Sequence, residues 1–270
     1  MTSFLDSPLT TLAFCWRLER RDGVALGFTS HDRDLFLDGL LYRAAPGIAP
    51  SAVTLADGFD AGSMDVAGAL SADGISEADL ESGRWDGAGV ILFAVDWETP
   101  GETLVLARGE LGAAERKGDA FSAELRGAVA VLERTVVEET SPECRAALGD
   151  RRCRVDLAGR RVLARVSGID GAALEMDRAE PVAGAYGYGM LRWIDGANAG
   201  LSGAVLSSAG HAIVLRDLPA LPVAIGDRAE LIEGCDRSLA MCRGRFGNAV
   251  NFRGEPHLPG NDLLTRYPGA

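Results

Sequence analysis

Lysine is nearly missing from this chain: 26 of its 27 basic residues are arginine, and Lys117 is the single exception. Histidine occurs only as His31, His211 and His257, and aromatic residues make up 6%. No apolar run approaches the roughly 18 residues of a membrane helix. The best one, Val90 to Val95, has a strand's length. The start, Met1-Thr-Ser-Phe-Leu-Asp-Ser-Pro8, has neither a basic opening nor a long apolar segment. No signal peptide or membrane anchor is therefore expected, and the chain is expected to fold in the cytoplasm. Acidic residues outnumber basic ones, 39 to 27. A net charge of −12 argues against a general nucleic-acid binder, which needs a basic face.

Catalytic motifs are also lacking. There is no H-E-x-x-H and no G-x-S-x-G. The run Gly184-Ala-Tyr-Gly-Tyr-Gly-Met190 is glycine-rich, but it lacks the lysine and the following helical pattern of a phosphate loop. His31-Asp32-Arg33-Asp34 falls between two strands and reads as a solvated turn with local ion pairs. Glu138 and Glu139 read as helix-surface charge. No Cys–His pair is visible. Nothing here predicts an enzyme.

What the chain does have is enough apolar residue to build cores. It is 270 residues long, 47% hydrophobic and 24% charged, which suggests two domains. The pattern predicts a mainly β protein with minor α content: two β-rich domains, 1–140 and 141–270, hairpin meanders, short helices and an irregular C-terminal tail. Leu12, Phe14, Trp16 and Leu18 alternate as on a half-buried strand. Arg21-Asp22-Gly23 turns into a strand from Val24 to Thr29, and Asp38-Gly39 joins Asp34–Leu37 to Leu40–Arg43. Ser76 to Asp79 has capping-box spacing and predicts a short helix. Strands are expected at Val90–Trp97, Thr103–Ala107 and Phe121–Leu125, and a weakly signalled helix at Ala128–Glu138. Further strands are expected at Val162–Val166, Tyr188–Ile194, Ala204–Leu206, Ile213–Leu215 and Ala229–Ile232, with Ser207–Gly210 turning one hairpin.

Charge is uneven. Ser51 to Leu125 holds 15 acids against 4 bases, whereas Cys144 to Arg165 holds 7 arginines against 2 aspartates.

Five cysteines exclude a disulfide-stapled miniprotein. Four of them form two pairs, Cys144-x8-Cys153 and Cys235-x6-Cys242, in segments of Gly, Arg and Asp rather than in apolar stripes. Cys15 lies within an apolar strand and reads as a core residue. Zinc usually takes pairs at C-x2-4-C, and these spacings are long for that. Wider, irregular spacing suits the larger iron–sulfur cube, whose negative charge the neighbouring Arg145, Arg151, Arg152, Arg154, Arg237, Arg243 and Arg245 would offset. Spacing alone leaves four free thiols, two disulfides, zinc and a cluster open, leaning to the cluster among the metals. Asn248, Asn251, Phe252, Pro256 and Pro259 predict a specific loop after Cys242.

Several stretches together resemble the hub proteins of gene transfer agents and related siphophage tails. They are Asp22-Gly23 with Leu26-Gly-Phe-Thr-Ser-His-Asp-Arg-Asp-Leu35, Trp85-Asp-Gly-Ala88 with Val95-Asp-Trp97, Cys144-x3-Leu148-Gly-Asp-x2-Cys153-x-Val-Asp-Leu157, and Cys235 to Pro259. The cysteine spacings are also similar to those of the lambda tail-tip protein L, which holds a 4Fe–4S cluster. The resemblance implies that Cys144, Cys153, Cys235 and Cys242 ligate such a cluster, ahead of zinc, and gives Cys15 no role. It further implies a homotrimeric, mostly β, non-enzymatic ring in the baseplate or tail tip of a released, virion-like particle. Its partners would be the distal tail protein above, a tip or fibre protein below and a separate cell-wall peptidase subunit. DNA would be only a transient passenger. The competing class is a cytoplasmic iron–sulfur or zinc-binding redox enzyme. Against it, four cysteines close the coordination sphere, and the chain lacks a flavin or nucleotide fingerprint.

Overall fold

Strands dominate the computed structural model, which describes residues 11–44, 49–50, 63–69, 75–99, 101–117, 120–127 and 137–257. The chain divides into two units, 1–136 and 137–270, against the expected boundary of 140/141. Fifteen strands and two short α-helices are present among the described residues, so the chain is mainly β, as expected. Among those residues, no helix is long and apolar enough to cross a membrane.

The first unit is a nine-stranded sheet. Its strands are β1 (Leu12–Glu19), β2 (Ala25–Thr29), β3 (Leu35–Leu37), β4 (Leu40–Arg43), β5 (Ala49–Pro50), β6 (Ser63–Ala69), β7 (Gly89–Asp96), β8 (Thr103–Lys117) and β9 (Ala120–Gly127), in the order β3-β4-β2-β1-β7-β8-β9-β6-β5. The Asp38-Gly39 turn takes positive φ at both residues, 47° and 78°, which is the requirement of a two-residue hairpin turn. The simple meander is not what forms, because β4 rather than β3 lies beside β2, and the two run parallel. The alternation of β1 also has a different outcome. Trp16 and Leu18 pack with Phe28, Val90 and Leu92, while Ala13 and Cys15 pack with Tyr42, Phe93 and Val95. Both faces of β1 are thus apolar and buried, and Phe14 remains 39% exposed. Helix α1 (Glu77–Glu81) starts where the spacing predicts, with Ser76 Oγ accepting the Asp79 N–H at 3.2 Å. The helix expected at Ala128–Glu138 lies, except for its last two residues, outside the described residues.

The second unit contains a closed six-stranded barrel: β10 (Arg161–Asp170), β11 (Ala173–Met176), β12 (Met190–Trp193), β13 (Ser202–Ala209), β14 (Ala212–Leu215) and β15 (Arg228–Ile232). Its order is β10-β11-β14-β13-β12-β15. Side chains at every second position fill the interior, with Leu191, Trp193, Val205, Ile213 and Leu231 each no more than 2% exposed. Bulges at Val166/Gly168 and Val205/Ser207 bend two of the strands. Strand β11 had no expectation in the sequence, and the β13–β14 turn falls at Gly210-His211 rather than at Ser207–Gly210.

Candidate metal centre

Two segments outside the barrel strands carry the four cysteines. In the first, Asp150 organises the backbone. Its carboxylate accepts the N–H groups of Cys153 at 2.6 Å, Arg152 at 2.8 Å and Ala147 at 2.9 Å. The Cys153 bond is the main reason its pKa lies below the usual carboxylate value. Gly149 sits at φ +79°, and a Cβ there would come within 2.5 Å of Leu157 Cδ1, so the Leu148-Gly149-Asp150 motif needs its glycine on two counts. Cys153 follows directly, 8% exposed.

The second segment leaves the barrel at the end of β15. Here the glycine-rich run has its explanation. A Cβ on Gly234 would collide with the backbone of Gly187 and Gly189, and one on Gly189 would strike Ile232 O. The run lets two backbones cross in contact, and Gly234 N–H donates to Ala185 O at 3.0 Å. Cys235 comes next, then Arg237 in the left-handed conformation at φ 63°. Helix α2 (Leu239–Gly244) follows, capped by Ser238 Oγ, which accepts Met241 N–H at 3.1 Å. Cys242 is therefore helical and 7% exposed, not a loop residue as its composition implies.

The two segments meet. Cys144 N–H donates to Arg237 O at 2.9 Å, and Arg145 N–H to Arg253 O at 3.0 Å. Arg253 N–H donates to Cys144 Sγ at 3.3 Å, and Asn248 Nδ2 lies 3.7 Å from Cys153 Sγ. Burial pushes the Cys235 thiol pKa up; the Arg237 N–H opposes this, and Asp236, Cys153 and Cys144 add to it. Burial also raises Cys242, with Cys235, Cys144 and Cys153 contributing. None of the chain's five cysteines forms a disulfide. Among the described residues, no group of three or more His, Cys, Asp and Glu is gathered as the ligands of a single ion.

The arginines divide their roles. Arg145 makes a bidentate pair with Glu255 at 2.6 and 2.9 Å, and Glu138 accepts from both Arg145 and Arg152. Glu233, 7% exposed, pairs with Arg160 at 2.7 Å and Arg245 at 2.9 Å. The Phe246 ring carries the same two guanidinium groups at 4.9 and 5.4 Å. Three of the seven arginines expected to offset cluster charge, Arg145, Arg152 and Arg245, already have carboxylate partners. A cleft of about 310 Å³ opens beside Cys235, lined by Leu148, Leu157, Met190 and Ile232 among others. Cys15 lies in the other unit, fully buried, its Sγ 3.5 Å from Thr29 Oγ1, with burial raising its pKa.

Residues 1–156 match the family described as "Baseplate hub protein, N-terminal attachment domain". The chain belongs to the baseplate hub family. Residues 184–262 of this hub chain match a second family, described as "Phage conserved hypothetical protein BR0599". A chain in the solved structure "Virion of native gene transfer agent (GTA) particle" is 39% identical to it, with a TM-score of 0.87 over 98% of this chain and 94% of that one. No curated protein matches. The hub chain is thus a structural protein of the phage tail and baseplate type.

Proposed function

We propose that this hub protein forms a trimeric ring at the tail tip of a gene-transfer-agent or siphophage-like particle, and that Cys144, Cys153, Cys235 and Cys242 hold a structural 4Fe–4S cluster. The ring would join the distal tail protein to the tip or fibre protein, with a cell-wall peptidase subunit nearby, and would let DNA pass. Assembly would take place in the cytoplasm, and the released particle would carry the protein. Family membership and the gene-transfer-agent virion relative support the particle role and favour a structural part over an enzyme.

One observation carries the cofactor reading. The two segments that carry the four thiols are joined backbone to backbone in a layer outside the main apolar cores: no residue of 137–160 or 235–257 belongs to any of the three hydrophobic clusters among the described residues. The donor set fits the group. All four candidate ligands are thiols, and Cys144 accepts a backbone N–H bond at sulfur, as cluster thiolates do. Zinc would draw sulfurs to about 3.8 Å of one another, given Zn–S bonds of about 2.3 Å in a tetrahedron. When bound, the cluster supplies cross-linking between two chain segments, offsetting the entropy of closing a long loop. The chain's own residues present the sulfurs and limit solvent at Cys153 and Cys242.

The test is iron and acid-labile sulfide analysis of anaerobically purified protein. About four of each per chain, with broad charge-transfer absorption, is expected. One zinc per chain, or no metal, contradicts the cluster. Ring stoichiometry is read separately by cryo-microscopy of assembled tails, where one or six copies per tip would refute the trimer.

A further inference from the structure

The two cysteine pairs come from segments 81 residues apart in sequence. We propose that Asn248 is the positioning residue that clasps them together and supplies an outer hydrogen bond to the Cys153 sulfur. Gly247, at φ +59°, turns the chain after α2 so that Asn248 N–H returns to Cys242 O at 2.9 Å. From that anchor, Nδ2 donates to Cys153 O at 2.6 Å and lies 3.7 Å from Cys153 Sγ. Its Oδ1 accepts Asn251 Nδ2 at 2.7 Å, and Asn251 N–H donates to Asn248 O at 2.9 Å. The orientation of the amide is fixed by its partners: a carbonyl can only accept, and an NH2 group can only donate.

A single residue thus touches one cysteine from each pair, Cys153 through its side chain and Cys242 through its backbone N–H. No other residue type reproduces this. Asp has the same shape but no donor for Cys153 O, and its charge would face the thiolates. Gln is one methylene longer. Ala removes every side-chain tie. Outer-sphere donors of this kind orient ligands and tune the metal, and their loss typically lowers metal affinity about 10–100-fold.

The proposal rests on the four-thiol cofactor reading for its consequence, though not for its geometry, so the test has two arms. In the loaded protein, Asn248→Asp and Asn248→Ala are compared with wild type for cluster retention against a chelator series and for reduction potential. The expected result is about a tenfold or greater loss of retention. The potential should also become more negative, because a donor to sulfur that stabilises the reduced cluster is gone. A merely structural residue would not move the potential. In metal-free protein, the rate of Cys153 alkylation should rise several-fold in both variants, while the fluorescence of buried Trp193 reports an intact barrel. Asn251→Ala keeps the donor but loses its orienting partner, and should give a smaller change in the same direction even if the Asn248 variants fold poorly. Unchanged Cys153 reactivity in all three variants overturns the clasp. Wild type that binds no cluster overturns the cofactor reading and leaves the alkylation arm to decide the clasp.

Discussion

Inside the barrel, Leu191, Trp193, Val205 and Leu231 face one another with almost no exposure. The cysteine layer of the same unit is held differently, by Asp150 knitting one segment, Glu255 bridging Ser141 and Arg145, and Glu233 tying Arg160 to Arg245. Apolar burial is non-directional and sustains a fold by itself. A polar layer only replaces bonds that water would make, at a net gain of about 1 kcal/mol each. Apolar burial thus holds the barrel, whereas the layer is held by polar bonds, and the proposed cluster would add a cross-link there. The same contrast separates the cysteines. Cys15 is one more apolar side chain in a sheet core, and the other four lie outside the three hydrophobic clusters among the described residues.

Cysteine substitutions should break the comparison most sharply. Cys153→Ser is expected to abolish metal binding and leave the layer protease-sensitive, while the barrel keeps its near-ultraviolet dichroism. Cys15→Ser should leave metal content unchanged and cost stability in the first unit alone. Metal analysis with limited proteolysis and mass spectrometry checks both. Equal metal loss in the two variants would erase the distinction.

Glu233 is the joint between barrel and layer, so Glu233→Gln is expected to have the next largest effect. It leaves Arg160 and Arg245 facing each other across a buried position. A loss of about 3 kcal/mol is expected, at the low end for a broken buried pair because the Arg160 side chain is 30% exposed. Chemical denaturation measures it, and a loss below about 1 kcal/mol would show the joint to be incidental.

The smallest expected effect is on pH dependence. Hydrogen bonds from Arg145 and then from Ser141 N–H lower the Glu255 pKa from 4.5 to about 2. A carboxylate whose folded pKa is depressed stabilises above its unfolded value and loses that contribution as pH falls through the folded one. The Ser141–Arg145–Glu255 bridge should thus contribute fully above about pH 4.5 and fade toward about pH 2. Carboxyl-carbon NMR of Glu255 reads this directly; an apparent pKa near 4.5 would mean that the bridge does not form in solution.

Much of this was legible in the residues. The existence of strand β1, the Asp38-Gly39 turn, the Ser76 cap and most of the barrel strands follow from periodicity and turn chemistry, whereas the burial of both faces of β1 does not. What escaped did so for physical reasons. Strand β11, Ala-Leu-Glu-Met, has no β-branched residue to mark it. Helix α2 is six residues long, too short for a helical period, though Ser238 three residues before Met241 was a usable cap signal. The parallel β2–β4 pairing is a tertiary choice that hairpin signals cannot express. At the site, spacing separated the four cysteines from Cys15, and Gly149 and Asp150 stood in view as a motif. The crossing at Gly187, Gly189 and Gly234 was visible only as glycine richness, because close approach depends on a partner 45 or more residues away.

Hydrogen exchange on the metal-loaded protein, before and after chelation, tests the central claim most directly. The account predicts that removing the metal releases protection in residues 137–160 and 235–257 while β10 to β15 remain protected. Unchanged exchange in those two segments, or equal loss throughout the barrel, would contradict it.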